Sequence, residues 1–380
     1  MLYRSQEEFW WNNITGAHAV VEQVAMALLE NKMVVLQVPS DLPWRYSMRS
    51  AIQSVFNERT NSRDIIIEMI DARDDNPAGL DPGHFILQRF AAGSVAAGYR
   101  EKGRISIQDY ISQREVIKNR IVWIKGLDKV SAEMWLQFCR GFSHNSSSKE
   151  LFVLELQGKI PVTGSKYIAC VDFDRLVSSY DVQQFNSFSL DHIGKYSAKW
   201  KQYISTVTAS VCGTDAELSE RLLHLIDYRT ETAVDGLRLI LESGDFDRRG
   251  MKNDSNHPLW YYRSGDTAEL LHRIWIAQVQ VLFPIIELER QQIISRWEES
   301  IQSALHNYDV VQYGNILKDP VEVELGTLCF MMSNKVCEDS RMLYIPDEDD
   351  RQRIRFLHSC RNKIAHAVCC SPEEVVVLLD

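Results

Sequence analysis

The chain has 380 residues, 45% of them hydrophobic and 25% charged, and its formal net charge is −10. This length predicts two or three domains, and this composition excludes disordered and fibrous classes. The acidic charge excludes a nonspecific nucleic-acid coat, because phosphate binding depends on clustered Lys and Arg, so any nucleic-acid contact is expected to be local.

The first half of the chain alternates helical and strand patterns. Apolar residues recur at helical spacing over residues 17–29, and the apolar run at 33–38 predicts a buried strand. Further strands are predicted at 64–70, 120–124 and 151–156. Short apolar strands separated by helical stretches are typical of a parallel sheet covered on both faces, so this half is predicted to be α/β.

The second half is predicted to be all-α. Helical periodicity replaces the strand pattern after about residue 175, and a polar stretch at 244–258 is typical of a domain boundary. The predicted helices cover residues 197–211, 218–228, 234–241, 267–306, 321–333 and 347–370. The sequence therefore predicts an α/β domain over 1–185, a helical linker subdomain over 186–254 and a helical bundle over 255–380.

The loop after the first strand stands where a P-loop would bind phosphate, but it lacks the necessary residues. A P-loop has the pattern Gly-x-x-x-x-Gly-Lys-Ser/Thr, whose glycines let backbone N–H groups surround the phosphates. Here Pro39 and Trp44 occupy the glycine positions, Arg45 the lysine position and Tyr46 the hydroxyl position. Proline lacks an N–H donor, tryptophan blocks close backbone approach, and Asp41 adds a charge that repels phosphate.

The strand at 120–124 leads into a second altered motif. Lys125 stands where a P-loop NTPase has the acid that holds magnesium, and the following Gly-Leu-Asp turn ends at Asp128. Residues 15–185 thus resemble a P-loop NTPase of the AAA or STAND type with both nucleotide-binding motifs degenerate. The resemblance implies a domain kept as a scaffold. A working ATPase with unusual loops and an unrelated doubly wound sheet are the alternatives.

Three other features of this half admit two interpretations each. Asp71 follows a predicted strand and could face the vestigial site, and His84 lies in a predicted loop, but both are more often solvated loop residues. The aromatic start, Phe9, Trp10 and Trp11, could dock on a partner, although core packing is the favoured interpretation.

A helical run near the C-terminus carries an Arg-Asn-x-x-x-His motif at Arg361, Asn362 and His366. Asn362 and His366 are four positions apart and therefore share a helix face. Metal-free RNA cleavage needs a group that moves a proton and a cation that stabilises the charged phosphorane. His366 and Arg361 could fill these roles, while Asn362 could orient the imidazole or the phosphate.

Basic residues surround the motif. Residues 255–380 contain 12 Lys and Arg against 19 Asp and Glu, a balance of −7. Against that background Arg353, Arg355 and Lys363 form a local positive cluster and are the predicted RNA contacts.

This stretch resembles the HEPN family of helical domains, whose ribonuclease members carry Arg, then four to six residues, then His, commonly with Asn after the Arg. The resemblance implies a bundle of four or five helices over about residues 258–380. It also implies a metal-independent endoribonuclease that acts on RNA such as tRNA, works as a homodimer with paired motifs, and belongs to antiviral defence or a toxin system.

Two alternatives to a ribonuclease remain open. Some HEPN domains are noncatalytic assembly modules, so the protein could be an adaptor that binds a protein partner through its N-terminal domain. Alternatively, Arg361 and His366 could only cap helix carbonyls or pair with acids.

The sequence predicts a cytoplasmic protein without metal or cofactor. Glu7 and Glu8 stand where a signal peptide needs basic residues. About 18 consecutive apolar residues occur nowhere, and the strongest candidate for a membrane span, 274–286, is interrupted by Gln278, Gln280 and Pro284. The eight cysteines lack zinc-site spacing and are predicted to be reduced thiols. The adjacent Cys369 and Cys370 admit a redox or metal role, but small apolar residues ending a helix are the favoured interpretation.

Overall fold

A computed structural model describes residues 5–60, 65–76, 79–100, 103–142, 150–158, 160–251, 256–337 and 340–380. The described chain forms two compact units. The first contains the residues up to 185 together with 213–218. The second contains 186–212, 219–251 and 256–380.

The first unit is built on a five-stranded sheet with the order β2-β3-β4-β1-β5, in which every neighbouring pair is parallel. The strands are β1 (Met33–Val38), β2 (Ile66–Asp71), β3 (Arg120–Leu127), β4 (Leu151–Gln157) and β5 (Ile168–Asp172). On β1, Val35 pairs with Leu154 on one side and with Cys170 on the other. The predicted α/β class with a parallel sheet is confirmed. The strand β5 was not predicted, and residue 64 of the predicted second strand lies outside the described residues.

Helices cover both faces of this sheet. They are α1 (Gln6–Asn13), α2 (Thr15–Leu29), α3 (Arg45–Thr60), α4 (Pro82–Phe90), α5 (Gly93–Gly98), α6 (Ile107–Gln113), α7 (Lys129–Arg140) and α8 (Phe173–Leu176), with α9 (Ser179–Ile193) beginning in the same unit. The helices α2, α3 and α8 pack together on one face. On the other face Val35 and Ile124 of the strands share a core with Phe85, Ile111 and Trp135 of the helices.

The aromatic residues of α1 belong to the core of this unit. Trp10 and Trp11 are both fully buried. The Trp10 ring meets Phe185 edge-on at 5.6 Å between centroids, and Trp11 lies 6.3 Å from Phe173. Trp44 completes the cluster at 5.6 Å from Phe185. The core-packing interpretation of the aromatic start is confirmed.

The second unit is mainly helical, as predicted. Its helices are α10 (Ala198–Cys212), α11 (Ala216–Leu225, from residue 219), α12 (Ala233–Ser243), α13 (Pro258–Ser264), α14 (Thr267–Arg296), α15 (Glu298–Asn307), α16 (Leu325–Ser333), α17 (Glu348–Ala365) and α18 (Pro372–Leu379). A 3-10 helix lies at Pro320–Glu322, and two hairpins are formed by β6 (Val311–Gln312) with β7 (Asn315–Ile316) and by β8 (Lys335–Cys337) with β9 (Ser340–Arg341).

The long helix α14 is the central element of the second unit, since α10, α12, α13, α17 and α18 all contact it. The helices of residues 198–251 therefore share a unit with the C-terminal helices. The predicted division between residues 254 and 255 lies outside the described residues. Among the described residues, α14 is also the one helix whose length and composition would allow it to cross a membrane. Buried core helices of soluble proteins meet the same criteria.

Candidate functional site

The loop between β1 and α3 is closed on itself by Arg45. The Arg45 guanidinium donates to the Ser40 carbonyl at 3.1 Å and to the Pro39 carbonyl at 3.4 Å. It also donates to the Glu155 carboxylate at 3.0 Å. A phosphate-binding loop turns N–H groups toward its anion, whereas this loop turns carbonyl oxygens toward an arginine.

A buried carboxylate holds this arrangement together. Glu155 on β4 is 1% exposed, and besides Arg45 it accepts hydrogen bonds from Arg49 at 2.8 Å and from the Trp123 indole at 2.8 Å. Because three donors converge on it, the desolvation of Glu155 is offset by charge-assisted hydrogen bonds. The arginine that replaces the P-loop lysine is thus paired with a protein anion.

Trp44, at the second glycine position, has its backbone committed elsewhere. Its φ of +41° lies in the left-handed region, its N–H donates to the Glu217 carboxylate at 2.8 Å, and its carbonyl accepts from the Trp11 indole at 3.1 Å. Tyr46, at the hydroxyl position, is 78% exposed. The Trp44 N–H group therefore points at a carboxylate rather than toward a phosphate site.

Lys125 forms an ion pair where a magnesium-binding acid would stand. Its ammonium lies 3.1 Å from a carboxylate oxygen of Asp71, its register partner on β2. Burial raises the pKa of Asp71, but the hydrogen bonds from Lys125 and from the Arg73 N–H outweigh burial and hold this pKa below its ordinary value. Gly126, at φ +74°, leaves room for Asp71, because a Cβ there would lie 2.3 Å from its carboxylate. A magnesium ion would meet an ammonium at this strand end.

Asp128 and His84 have local partners. Asp128 is the N-cap of α7 and forms a capping box with Ser131, whose hydrogen bonds lower the pKa of this carboxyl. His84 lies in α4 and not in the predicted loop, and its imidazole contacts Asp81, the N-cap of this helix. Asp128 thus has a helix-capping role that accounts for its position.

In the second unit, the Arg-Asn-x-x-x-His motif lies at the C-terminal end of α17. The helix ends at Ala365 and not at the predicted residue 370, so Cys369 and Cys370 lie between α17 and α18 rather than at a helix end. His366 follows Ala365 as the C-cap at φ −104° and ψ 22°. The His366 side chain is exposed, and within the described part of the chain no hydrogen bond or ion pair involves its imidazole. This imidazole is therefore available to solvent and to a ligand.

Arg361 is held by a carboxylate from another segment. Its guanidinium donates to Glu324, just before α16, at 3.2 Å, and the Tyr313 hydroxyl donates to the same oxygen at 2.9 Å. The side chains of Arg361 and Glu324 are 31% and 38% exposed. Since successive helix residues are turned by about 100°, Arg361 lies to one side of the face that carries Asn362.

Asn362 shares its helix face with a second histidine, His358. The Asn362 amide nitrogen and His358 Nε2 are 3.0 Å apart, so the amide donates to an imidazole that carries its proton on Nδ1. A Cβ on Gly326 of α16 would lie 3.2 Å from His358 Nε2, so this glycine leaves space for the ring. His358 was not predicted as a site residue, although the spacing of four through His358, Asn362 and His366 could have indicated it.

The three predicted RNA contacts differ in their surroundings. Arg353 pairs with Glu289 through two hydrogen bonds of 2.7 and 2.8 Å, and Lys363 donates to Glu374 at 2.6 Å. Arg355 is exposed, and among the described residues it has neither a hydrogen bond nor an ion pair. The local positive charge expected from the sequence is thus partly neutralised within the unit.

Two of the solved structures that this chain resembles are RuvB and ORC structures. A RuvB mutant from Thermotoga maritima matches at a TM-score of 0.30 and 10% identity, covering 70% of this chain and 77% of that one. A Drosophila ORC structure bound to poly(dA/dT) DNA and Cdc6 matches at a TM-score of 0.26 and 11% identity, covering 98% and 72%. No protein-family model and no curated protein matches the chain. The chain's own topology is a helix-covered parallel sheet followed by a mainly helical part.

Proposed function

We propose that the C-terminal helices form a metal-independent endoribonuclease of the HEPN type and that the N-terminal domain is a nucleotide-free, NTPase-like scaffold. The observation that carries the proposal is the exposed His366 imidazole at the end of α17, one helical turn after Asn362 and five positions after Arg361. The proposed partners are RNA at this motif, a second copy of the chain, and a protein at the N-terminal domain.

The proposed chemistry is transesterification at phosphorus. His366 takes the proton of a ribose 2′-hydroxyl, the 2′-oxygen attacks phosphorus, and the bond to the 5′-oxygen breaks while a second group returns a proton to that oxygen. The products are a 2′,3′-cyclic phosphate and a 5′-hydroxyl. Arg361 stabilises the charged phosphorane, which requires that the RNA phosphate replace Glu324 as its partner. Arg361 and Glu324 share one hydrogen bond of 3.2 Å, and both side chains are about one third exposed. Breaking this ion pair therefore costs little free energy.

The test is cleavage of tRNA or total RNA by the full-length protein, with EDTA added at the start of the reaction and a parallel reaction in metal-free buffer. We expect Arg361→Ala and His366→Ala each to lower the rate by about 100-fold or more, as loss of a proton-transfer group or a phosphorane-stabilising cation does. The matched control is His306→Ala, which removes an exposed histidine at the end of α15. Wild-type cleavage that survives both motif substitutions contradicts the assignment.

A noncatalytic adaptor is the second candidate, and a specific observation favours it. Arg353, Arg361 and Lys363 each pair with a carboxylate of their own unit, which lowers the positive charge available to RNA. An adaptor predicts that the wild-type protein cleaves no RNA even when its protein partners are present. A role in antiviral defence or as a toxin is implied by the family resemblance alone.

A further inference from the structure

Two buried thiols and a carboxylate meet where α17, the following turn and α18 come together. Cys360 on α17 is fully buried, Cys370 in the turn is 4% exposed, and Glu374 lies in the first turn of α18. The two sulfur atoms and a carboxylate oxygen all lie within 4.8 Å of one another. The fold thus assembles three potential ligands that have no zinc-site spacing in the sequence.

The position of Cys370 is fixed by a buried amide. Its N–H donates to the side-chain oxygen of Gln278 at 2.7 Å, and its carbonyl accepts from the side-chain nitrogen of Gln278 at 3.0 Å. Gln278, on α14, is 1% exposed and also donates to the Tyr203 hydroxyl at 3.1 Å. Such outer contacts orient a ligand before anything binds to it.

Glu374 is oriented as well, but it keeps coordinating capacity. One of its oxygens accepts from the Lys363 ammonium at 2.6 Å and the other from the Ser371 N–H at 2.8 Å. A carboxylate oxygen has two acceptor positions, so each keeps one free. Lys363 therefore orients the carboxylate without saturating it.

The charges around the cluster are compatible with one divalent cation. Zinc-class ions bind cysteine as the thiolate, so each thiol gives up its proton on binding. Two protons leave as one divalent cation enters, and Glu374 is already paired with Lys363. The net charge of the buried cluster therefore does not change on binding.

We propose that Cys360, Cys370 and Glu374 bind one thiophilic divalent cation of the zinc class, with water as the fourth ligand. Zinc takes sulfur at about 2.3 Å and carboxylate oxygen at about 2.0–2.2 Å, which places tetrahedral ligands roughly 3.3–3.8 Å apart. Each pair of these atoms, at most 4.8 Å apart, must approach by up to about 1.5 Å to reach that geometry. Two thiolates select zinc-class ions over magnesium and calcium, which prefer oxygen ligands.

A cation bound by Cys360 and Cys370 would link the two ends of the segment 361–369, which carries Arg361, Asn362 and His366. The cation has a structural role and lies on none of the reacting atoms of the proposed ribonuclease. The inference does not rest on that proposed function, because its readouts are metal content and spectra and require no RNA cleavage.

The experiment uses the full-length protein, purified under reducing conditions, stripped of metal and titrated with Co²⁺ or Zn²⁺. We expect one equivalent to bind and Co²⁺ to give a thiolate-to-cobalt charge-transfer band. Cys360→Ser and Cys370→Ser should each weaken binding by at least about tenfold and reduce that band, since each removes a ligand. The matched control is Cys369→Ser, because the Cys369 thiol contacts the Leu271 carbonyl and lies outside the cluster.

Two outcomes overturn the proposal. In the first, the wild-type protein binds no cobalt, and both thiols react with an alkylating reagent after unfolding. The two cysteines would then be free thiols packed in the core without a metal. In the second, the mass of the wild-type protein is lower by two hydrogens, and the peptides that contain Cys360 and Cys370 are cross-linked. The two cysteines would then form a disulfide. If a serine variant unfolds, as circular dichroism would reveal, Glu374→Gln tests the same site by weakening binding while both thiols stay in place.

Discussion

Glu155 is the residue on which the closed loop between β1 and α3 depends. We expect Glu155→Gln to lower the free energy of unfolding of the first unit by about 3 kcal/mol, because Arg49 and Arg45 would lose their buried counter-ion. Urea denaturation followed by tryptophan fluorescence measures the change. The control Glu115→Gln removes an exposed carboxylate paired with Lys118 and should alter stability by less than about 1 kcal/mol. A Glu155→Gln effect as small as the control's would contradict the proposed dependence.

The ion pair between Asp71 and Lys125 should make stability depend on pH in a defined direction. The folded-state pKa of Asp71 lies below its ordinary value of 3.8. Its contribution is therefore fully present above pH 3.8 and is lost as the pH falls through the folded-state value. We expect Asp71→Asn to lower the free energy of unfolding by about 0.5–1 kcal/mol at neutral pH, and the difference to vanish in strong acid. Urea titrations at three pH values measure this, with the exposed Asp74→Asn as control.

His358 should act on catalysis through Asn362. If the proposed ribonuclease is correct, His358→Ala should lower kcat by about tenfold, because the Asn362 amide loses the acceptor that orients it. His358→Gln keeps an acceptor in reach and should restore part of the loss. A purely structural role predicts instead that both variants change thermal stability and leave kcat alone, so the two measurements are made together.

At the scale of elements, the loop between β1 and α3 should not bind ATP. Its carbonyl groups face Arg45, the Trp44 N–H faces Glu217, and Lys125 stands where magnesium needs an acid. Calorimetry of the wild-type protein with ATP and Mg²⁺ should show no binding heat. Micromolar affinity that disappears in Arg45→Ala would instead establish a working nucleotide site.

The elements that the sequence predicted well are those with strong local patterns. The strands β1 and β4 are strongly apolar runs interrupted only by Gln37 and Glu155, and their predicted bounds match those observed within one residue. The strand β5 was missed because its apolar run, Ile168 to Val171, is only four residues long. The predicted helix over 267–306 is two helices that meet at Trp297, where no Gly or Pro indicates a break, whereas Pro284 lies inside α14 without ending it.

The motif of the candidate site was readable from the sequence, but its partners were not. Arg361, Asn362 and His366 lie within one helical turn and a half, so local periodicity groups them. Glu324, which holds Arg361, lies 37 positions away, and Glu289, which holds Arg353, lies 64 positions away. Such pairings depend on how helices pack, which a single sequence does not encode in any local pattern.

At the scale of the whole molecule, we expect a symmetric homodimer formed through the C-terminal helices. The reason is chemical, because transesterification uses an acid and a base on opposite sides of phosphorus. Isologous dimers are also the commonest assembly. His358 supplies a second imidazole within one chain. In a monomer it would be the candidate for the second proton-transfer group. Light scattering of the full chain, with and without RNA, measures the oligomeric state. A monomer under both conditions would contradict the mechanism with paired motifs.

The full chain is required for that measurement. The helices α10 and α12 pack on α14, so cutting the chain near residue 255 would strip α14 of two neighbours and expose their shared apolar surface. Association of such a fragment would then report exposed core rather than a native interface.

If the loop between β1 and α3 binds no nucleotide, as we propose, the ion pair of Arg45 with Glu155 makes the conformation of this domain independent of the ATP concentration in the cell. A protein completed by a bound nucleotide gains stability with ligand concentration, so its folded population follows ATP supply. Here the charge that a triphosphate would contribute is already covalently part of the polypeptide. The domain should therefore keep one conformation in growing and starved cells alike, and any signal that changes it must arrive as a binding partner or a covalent modification.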